Sequence, residues 1–265
     1  MTQEQTLDIL KMGHNVYLTG SAGSGKTYVL NKYIQYLREH DIPVAITAST
    51  GIAASHMNGV TIHSWSGLGI RNSLSAYDME ALEEKKYLWE RFQNARVLII
   101  DEVSMLHHYR LDLVDQIARA FKRNNKPFGG LQVILCGDFF QLPPISKSYE
   151  EESRFIYHSQ AWQDLNLKIC YLTTSYRQND QKFLEVLNAI RRNAITPEIK
   201  AHLHTRHQQD IDSALSIRPT KLYTHNINVD DINHQELKST SGDEHSYMMS
   251  SKGRDVLIAS LKNSC

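Results

Sequence analysis

A glycine-rich octapeptide near the N-terminus carries residue types that bind phosphate. Residues 20–27 read GSAGSGKT and follow the apolar run NVYLT. Glycines let the backbone turn successive N–H groups toward an anion, and a helix that begins there adds partial positive charge. Lys26 would then contact the β- and γ-phosphates of ATP, and the Thr27 hydroxyl would bind Mg²⁺. The predicted phosphate-binding residues are Gly20, Ser21, Ala22, Gly23, Ser24, Gly25, Lys26 and Thr27.

Two further segments place polar side chains directly after apolar runs. RVLIIDEVSM puts Asp101 and Glu102 at the end of one predicted strand. Asp101 suits the outer coordination shell of Mg²⁺, and Glu102 suits a general base that deprotonates an attacking water. The alternative is a solvated acidic pair at a strand end. LQVILCGDFFQLPPI puts Gln141 where it would hydrogen-bond the γ-phosphate or that water, the alternative being an ordinary loop residue.

These three segments can act together only if the fold brings them to the same edge of a sheet. Short apolar runs alternate with helical stretches, and their near-continuous apolar character is typical of parallel strands covered on both faces. The order predicts an α/β fold, a doubly wound parallel sheet of the P-loop NTPase class, with ligands at the carboxyl ends of its strands. The predicted strands are Val16–Thr19, Val44–Ala48, Val97–Asp101, Val133–Cys136 and Ile169–Leu172.

Helical periodicity and capping residues predict the remaining elements. Thr2 and Gln5 form a capping box at the start of the first helix. One covering helix is expected within an insertion at about residues 66–94, and one later strand at Lys221–Thr224. The predicted helices are Thr2–Met12, Tyr28–His40, a stretch through Phe183 and Ile190, the segment PEIKAHLHTRH, and a stretch around Val229–Leu237.

Composition excludes some classes of function. With 29 basic and 29 acidic residues among 265, the chain has no bulk positive field for nucleic acid, although a local basic groove remains possible. Its apolar runs are too short to span a membrane, and the first residues do not resemble a signal peptide. The isolated Cys136, Cys170 and Cys265 fit reduced thiols in an intracellular compartment. The histidines of HLHTRH do not share a helical face, so no metal site is predicted there.

Six motifs in order resemble the petite-integration-frequency family of superfamily 1 DNA helicases. They are GSAGSGKT, TASTGIAA, GVTIHSW, IIDEVSM, GDFFQLPPI and SYRQ. The similarity covers roughly residues 1–192, with a weaker match at LYTHNINVDDIN, and RecD-like helicases share much of the pattern. The resemblance implies two RecA-like lobes that hold ATP and Mg²⁺ between them. It further implies 5′ to 3′ movement along single-stranded DNA and unwinding at duplex junctions.

The resemblance also assigns roles to individual residues at the nucleotide. Gln5 matches the position that reads adenine, although its capping-box role competes with this assignment. Arg177, in SYRQ, matches an arginine that reaches from the second lobe toward the γ-phosphate, the alternative being an interdomain ion pair. Together with Lys26, Asp101, Glu102 and Gln141, Arg177 completes the predicted catalytic set.

The predicted DNA contacts lie after the second strand. A helix that opens there would hold a DNA phosphate with its N–H groups and hydroxyls. Trp65 would stack on a base, and the alternative places Trp65 in the core and makes His63 a structural residue. The predicted DNA-binding residues are Ser49, Thr50, Gly51, Thr61, His63 and Trp65.

The resemblance predicts a first motor domain at residues 1–173 and a partial second RecA-like domain at 174–265. The family's late glycine-and-threonine motif and its final arginine motif do not occur in this sequence. We therefore interpret the chain as the N-terminal part of a helicase, expected to bind Mg·ATP but to hydrolyse it poorly. The alternatives are a nucleotide-switched DNA-binding fragment without turnover and an unrelated P-loop regulatory ATPase. The expected location is the nucleoid of a bacterium, or the nucleus or mitochondrion of a eukaryote, and the expected state is a monomer that is not secreted.

Overall fold

Two compact units make up the chain. The computed structural model describes residues 1–145, 154–207, 222–223, 226–243, 245–247 and 250. One unit spans Met1–His207 and the other Gln208–Cys265. The predicted domain boundary at residue 173 falls inside the first unit. Of the predicted strand Lys221–Thr224 only Leu222 and Tyr223 are described, neither of them in a strand, and Cys265 lies outside the described residues.

A parallel sheet forms the centre of the first unit. The described residues give six strands in the order β3-β2-β4-β5-β1-β6, and every neighbouring pair is parallel. This confirms the predicted fold class, since each of the five predicted strands is present within one residue of its expected ends. The strands are β1 Val16–Gly20, β2 Val44–Ala48, β3 Val60–Thr61, β4 Val97–Asp101, β5 Gln132–Cys136 and β6 Lys168–Leu172.

Helices connect the strands and cover both faces of the sheet. In the first unit they are α1 Gln3–Lys11, α2 Lys26–Glu39, α3 Gly51–His56, α4 Ile62–Ser66, α5 Ala76–Glu83, α6 Lys86–Asn94, α7 His108–Lys122, α8 Gln160–Asp164, α9 Gln181–Arg191 and α10 Pro197–His204. In the second unit the described residues form α11, Asn226–Ser239. None of the helices in the part of the chain described has the length and apolar character needed to cross a bilayer.

The insertion contains two helices where one was predicted. Helices α5 and α6 are separated at Glu84 and Lys85, and Lys85 has extended backbone angles as the N-cap of α6. Leu82 and Phe92, on either side of this break, are both fully buried. The break therefore lets two short helices each turn an apolar side toward the core, which one straight helix of that length would not do.

Successive side chains of the central strands are buried on opposite faces, so the sheet separates two apolar clusters. On β5, Val133 and Leu135 belong to one cluster, while Ile134 and Cys136 belong to the other. The first cluster is covered by α6 and α7, and the second by α1 and α2. Covering on both faces leaves the carboxyl ends of the strands as the edge available for ligands.

Candidate functional site

The glycine-rich loop lies between β1 and α2, with two glycines in the left-handed region. Gly23 has φ +78° and Gly25 has φ +85°, and Gly25 is the N-cap of α2. A Cβ added to Gly23 would clash with the Cβ of Arg177. Glycine is thus required at position 23 for its backbone angle and for the close approach of another segment. The loop and the start of α2 together form a cradle suited to phosphate.

The Lys26 side chain lies across this loop. Its ammonium donates hydrogen bonds to the carbonyl oxygens of Gly20 at 2.9 Å and Ser21 at 3.2 Å. The Ser24 hydroxyl is buried and has no hydrogen-bond partner among the described residues. A buried hydroxyl without a partner costs free energy, which a ligand oxygen would recover. The loop residues therefore fit a phosphate group on structural grounds as well as by sequence.

A cavity of about 410 Å³ opens at the loop and gathers most of the predicted nucleotide residues. Its volume is in the range of small-molecule sites. Asp101 is 8% exposed and does not line the cavity. The lining residues are Ala22, Gly23, Ser24, Gly25, Lys26, Thr27, Glu102, Gln141, Tyr176 and Arg177.

Glu102 has a backbone conformation that its neighbours hold in place. It lies in the left-handed region at φ 51° and ψ 44°, and its N–H donates to Asp101 Oδ1 at 2.9 Å. Ser49 Oγ donates to the Glu102 carbonyl oxygen at 2.6 Å, and Ser49 N–H donates to the Asp101 carbonyl oxygen at 3.0 Å. Residues of this kind adopt left-handed angles at an energetic cost, so these contacts fix the direction of the carboxylate.

Burial raises the pKa of Glu102, and the neighbouring charge of Asp101 raises it further, while Lys26 acts in the opposite direction. A carboxylate with a raised pKa is a stronger proton acceptor than an exposed one. Glu102 therefore has the exposure to the cavity and the basicity that a general base needs.

Arg177 reaches the cavity from a segment that lies on the phosphate loop. Tyr176 N–H donates to the Gly23 carbonyl oxygen at 2.8 Å, which holds the chain after β6 against the loop. Arg177 belongs to the same compact unit as the loop. Its proximity to the phosphate loop thus comes with this backbone contact, and its assignment to a second lobe stays a prediction.

Gln5 makes the capping contact that competes with its predicted adenine role. Its Oε1 accepts from the Thr2 N–H at 3.0 Å, and Gln5 does not line the cavity. Gln3 Nε2 donates to the Ser24 carbonyl oxygen at 3.3 Å and lies over Gly25. Sequence reasoning missed Gln3, because nothing in the pattern distinguishes the first position of α1 as a contact to the loop. The adenine role of Gln5 stays a prediction.

Two of the three hydroxyls predicted to contact DNA serve as helix caps, while that of Ser49 donates to Glu102. Thr50 Oγ1 accepts from the Ala53 N–H at 3.2 Å at the start of α3. Thr61 Oγ1 accepts from the Ser64 N–H at 3.2 Å at the start of α4. A capping hydroxyl keeps its own proton, so each can still donate to a phosphate oxygen.

His63 is paired with a residue that the sequence did not indicate. The Arg110 guanidinium lies 2.8 Å from His63 Nε2. A guanidinium can only donate, so Nε2 must accept and the imidazole must be neutral with its proton on Nδ1. Burial is the main cause that lowers the pKa of His63 to about 4, and the nearby Arg110 and His107 contribute to this shift in the same direction.

Trp65 lies in the core, and its predicted stacking on a base is wrong. The side chain is 5% exposed, and its ring centroid is 4.5 Å from that of Phe92. Arg91 donates to the Trp65 carbonyl oxygen at 2.7 Å and so anchors α6 to α4. An indole with almost no exposed surface has no free face for a base. The alternative interpretation, that Trp65 is part of the core, is the one the structure shows.

Comparison with protein families gives a match along most of the chain. The model of the PIF1-like helicases matches residues 3–198. The chain belongs to the PIF1-like helicase family. It is 50% identical over 273 aligned residues to the ATP-dependent DNA helicase Pif1 of a Psychrobacter species, covering all of this chain and 41% of that protein. It is 40% identical to the ATP-dependent DNA helicase RRM3 of Saccharomyces cerevisiae, covering 93% of this chain and 35% of that protein.

Solved structures of the family have the same fold. The Pif1 helicase of Candida albicans is 34% identical with a TM-score of 0.85, covering 98% of this chain and 60% of that one. A Bacteroides Pif1 helicase in complex with ADP-AlF3 and single-stranded DNA is 31% identical with a TM-score of 0.78, covering 96% of this chain and 60% of that one. The chain spans less than half the length of the Psychrobacter and Saccharomyces relatives, 41% and 35% respectively.

Proposed function

We propose that this chain is the ATP-binding part of an ATP-dependent 5′→3′ DNA helicase. Such a protein uses ATP hydrolysis to move along single-stranded DNA and to separate duplex junctions. The observation that carries the proposal is the cavity that joins Lys26, Glu102, Gln141 and Arg177 at the carboxyl edge of the sheet. The ADP-AlF3 and single-stranded DNA in the Bacteroides relative support it.

The phosphate loop binds the triphosphate, with Lys26 on the β- and γ-phosphates. Thr27 and Asp101 are the residues that would hold Mg²⁺, since hydroxyl and carboxylate oxygens are the donors this ion prefers. When bound, the ion neutralises charge on the phosphate oxygens. Gln5 is proposed to read adenine, which requires its side chain to exchange the Thr2 contact for the base.

Glu102 accepts the proton of the attacking water as the water oxygen bonds to the γ-phosphorus. The bond from that phosphorus to the β–γ bridging oxygen breaks, and ADP leaves with the electron pair. Gln141 orients the water, and Arg177 stabilises the charge on the transferring phosphoryl group. An arginine in this role can contribute ~10³–10⁵ in rate for related P-loop enzymes.

The DNA contacts are assigned to the outer strands of the sheet. The Thr50 hydroxyl and the Gly51 N–H would bind phosphate groups, next to Ser49, whose own N–H and hydroxyl proton are donated within the protein. Thr61 and His63 would continue this surface. Contacts of this kind position a strand without reading its sequence. His63 is neutral at pH 7, so its contribution is a hydrogen bond and not an ion pair. The protein acts where DNA is found, in the nucleoid of a bacterium or the nucleus or mitochondrion of a eukaryote, and we favour a monomer.

The test measures nucleotide binding and slow turnover by the 265-residue chain. We expect the unchanged chain to bind fluorescent ADP with Mg²⁺ and to hydrolyse ATP slowly under single-turnover conditions. Lys26→Ala should abolish binding, whereas Glu102→Gln should bind normally and lose ~10²–10⁴ in rate.

Glu84→Gln is the matched control, because Glu84 is an exposed glutamate between α5 and α6. It should match the unchanged chain in both measurements. Turnover by Glu102→Gln at the rate of the unchanged chain would refute Glu102 as the base. Failure of the unchanged chain to bind nucleotide would refute the whole proposal.

A further inference from the structure

A buried ion pair stands beside the proposed nucleotide site, and no role assigned above uses it. Arg191, the last residue of α9, donates from Nη1 to Asp138 Oδ2 at 2.7 Å and from Nη2 to Asp138 Oδ1 at 2.9 Å. The Asp138 side chain is 2% exposed and that of Arg191 is 17% exposed. A two-pronged contact of this kind fixes the plane of the carboxylate as well as its position.

The same carboxylate also holds the loop that carries Gln141. Gln141 Nε2 donates to Asp138 Oδ2 at 3.3 Å, and the Gln141 N–H donates to the Asp138 carbonyl oxygen at 2.9 Å. The Phe140 N–H donates to Asp138 Oδ1 at 3.2 Å. Asp138 therefore accepts from Arg191 on one side and from the loop on the other.

This arrangement decides which end of the Gln141 amide faces the cavity. An ionised carboxylate only accepts, so the amide atom that faces Asp138 must be the nitrogen. The Gln141 oxygen and the second hydrogen of its nitrogen are then free for a water and a phosphate oxygen. If the amide rotated by half a turn, its oxygen would face the carboxylate, and the two acceptors would repel each other.

Arg191 supports the loop in two more ways. Its guanidinium carbon lies 4.3 Å from the ring centroid of Phe140, a residue whose side chain is otherwise largely exposed. It also neutralises Asp138, whose charge acts on Glu102 across the cavity. Without Arg191 the buried Asp138 carboxylate, beside Gln141, would have its charge uncompensated.

We propose that Arg191 is a positioning residue for the proposed ATP site: through Asp138 it holds the Gln141 amide in the orientation that recognises a γ-phosphate. This inference rests on the proposed function, because it requires that the cavity take a nucleoside triphosphate. Arg191, at the end of α9, would thereby contribute to the discrimination between ATP and ADP without itself contacting a phosphate.

The experiment is a double-mutant cycle on the 265-residue chain, with Arg191→Ala, Gln141→Ala and the combined variant. The readout is the ratio of affinities for a non-hydrolysable ATP analogue and for ADP, both with Mg²⁺. We expect Arg191→Ala to lower this ratio about 3–10-fold, the usual effect of one lost hydrogen bond, and to leave ADP affinity within about 2-fold. In the Gln141→Ala background, Arg191→Ala should lower the ratio no further, since it acts through Gln141.

Arg192→Ala is the matched control, because Arg192 is the exposed next residue and caps the same helix. It should keep the ratio of the unchanged chain. If Arg191→Ala unfolds, Arg191→Lys takes its place in the cycle, since lysine keeps the charge but not the two-pronged contact.

Equal effects of the Arg191 substitution in both backgrounds would overturn the inference while leaving ATP binding intact. An unchanged ratio would do the same, and so would equal losses for ADP and the ATP analogue, which indicate a structural role only. Failure of the unchanged chain to bind either nucleotide would instead overturn the proposed function, and this inference with it.

Discussion

Replacing His63 with glutamine should flatten the pH dependence of stability of the first unit. In the folded chain the pKa of His63 is lowered to about 4, because the ring is largely buried and faces Arg110 and His107. In the unfolded chain the pKa returns to about 6.5. Between these values the unfolded state binds a proton that the folded state does not, so stability falls as the pH is lowered through this window.

The size of the effect follows from the two pKa values. For a single group with these two pKa values, the free energy of unfolding falls by about 2 kcal/mol from pH 7 to pH 5 and is almost constant above pH 7. Glutamine cannot titrate, yet its side-chain oxygen can still accept from Arg110. His63→Gln should therefore keep the local contact and lose this part of the acid sensitivity.

Urea unfolding at pH 5, 6 and 7, followed by tryptophan fluorescence, measures the difference. All three tryptophans, Trp65, Trp89 and Trp162, lie within the first unit, so the signal reports on that unit. His14→Gln is the control, because His14 is exposed and its loss changes the histidine count equally. Equal pH slopes for His63→Gln and the unchanged chain would refute the argument that His63 is neutral and paired with Arg110.

Two further substitutions test the placement of single residues. Trp65→Ala should destabilise the first unit by about 3–5 kcal/mol and leave the single-stranded DNA affinity of the folded fraction unchanged. The control Tyr77→Ala, at an exposed position, should change the free energy of unfolding little. A loss of DNA affinity without a loss of stability would instead place Trp65 at the DNA interface. Gly23→Ala should weaken ADP binding at least 10-fold, because the new methyl group meets Arg177. Gly13→Ala is the control for the backbone angle alone, because Gly13 has φ +80° and nothing lies within 4 Å of an added methyl group. Equal losses of stability in both variants with intact ADP binding would contradict this explanation.

Local pattern was enough to predict five of the six described strands, all but the two-residue β3, and one side of the site. The apolar runs gave β4 and β5, and the glycine spacing gave the loop before α2. Because parallel strands end at one edge, the same reasoning put Lys26 and Glu102 together, and both line one cavity. These features depend on residues that are close in sequence or on the geometry of the sheet.

The sequence patterns did not predict contacts between side chains that are far apart in the sequence. Arg191 meets Asp138 across 53 positions and Arg110 meets His63 across 47, and no spacing rule indicates either pair. Trp65 was ambiguous because α4 has five residues, too few to show which side of a helix is apolar. Helix α7 is not among the predicted helices, although its sequence has a clear apolar periodicity at Leu111, Val114, Ala118 and Phe121.

The hydrogen bond from Ser49 Oγ to the Glu102 carbonyl ties the proposed DNA surface to the proposed base through neighbouring strand ends. A substitution that removes the Ser49 hydroxyl therefore loosens the backbone that carries Glu102 at the end of β4. In evolutionary terms, we expect the loss of the Ser49 hydroxyl to be tolerated only where another group still holds the left-handed turn at Glu102.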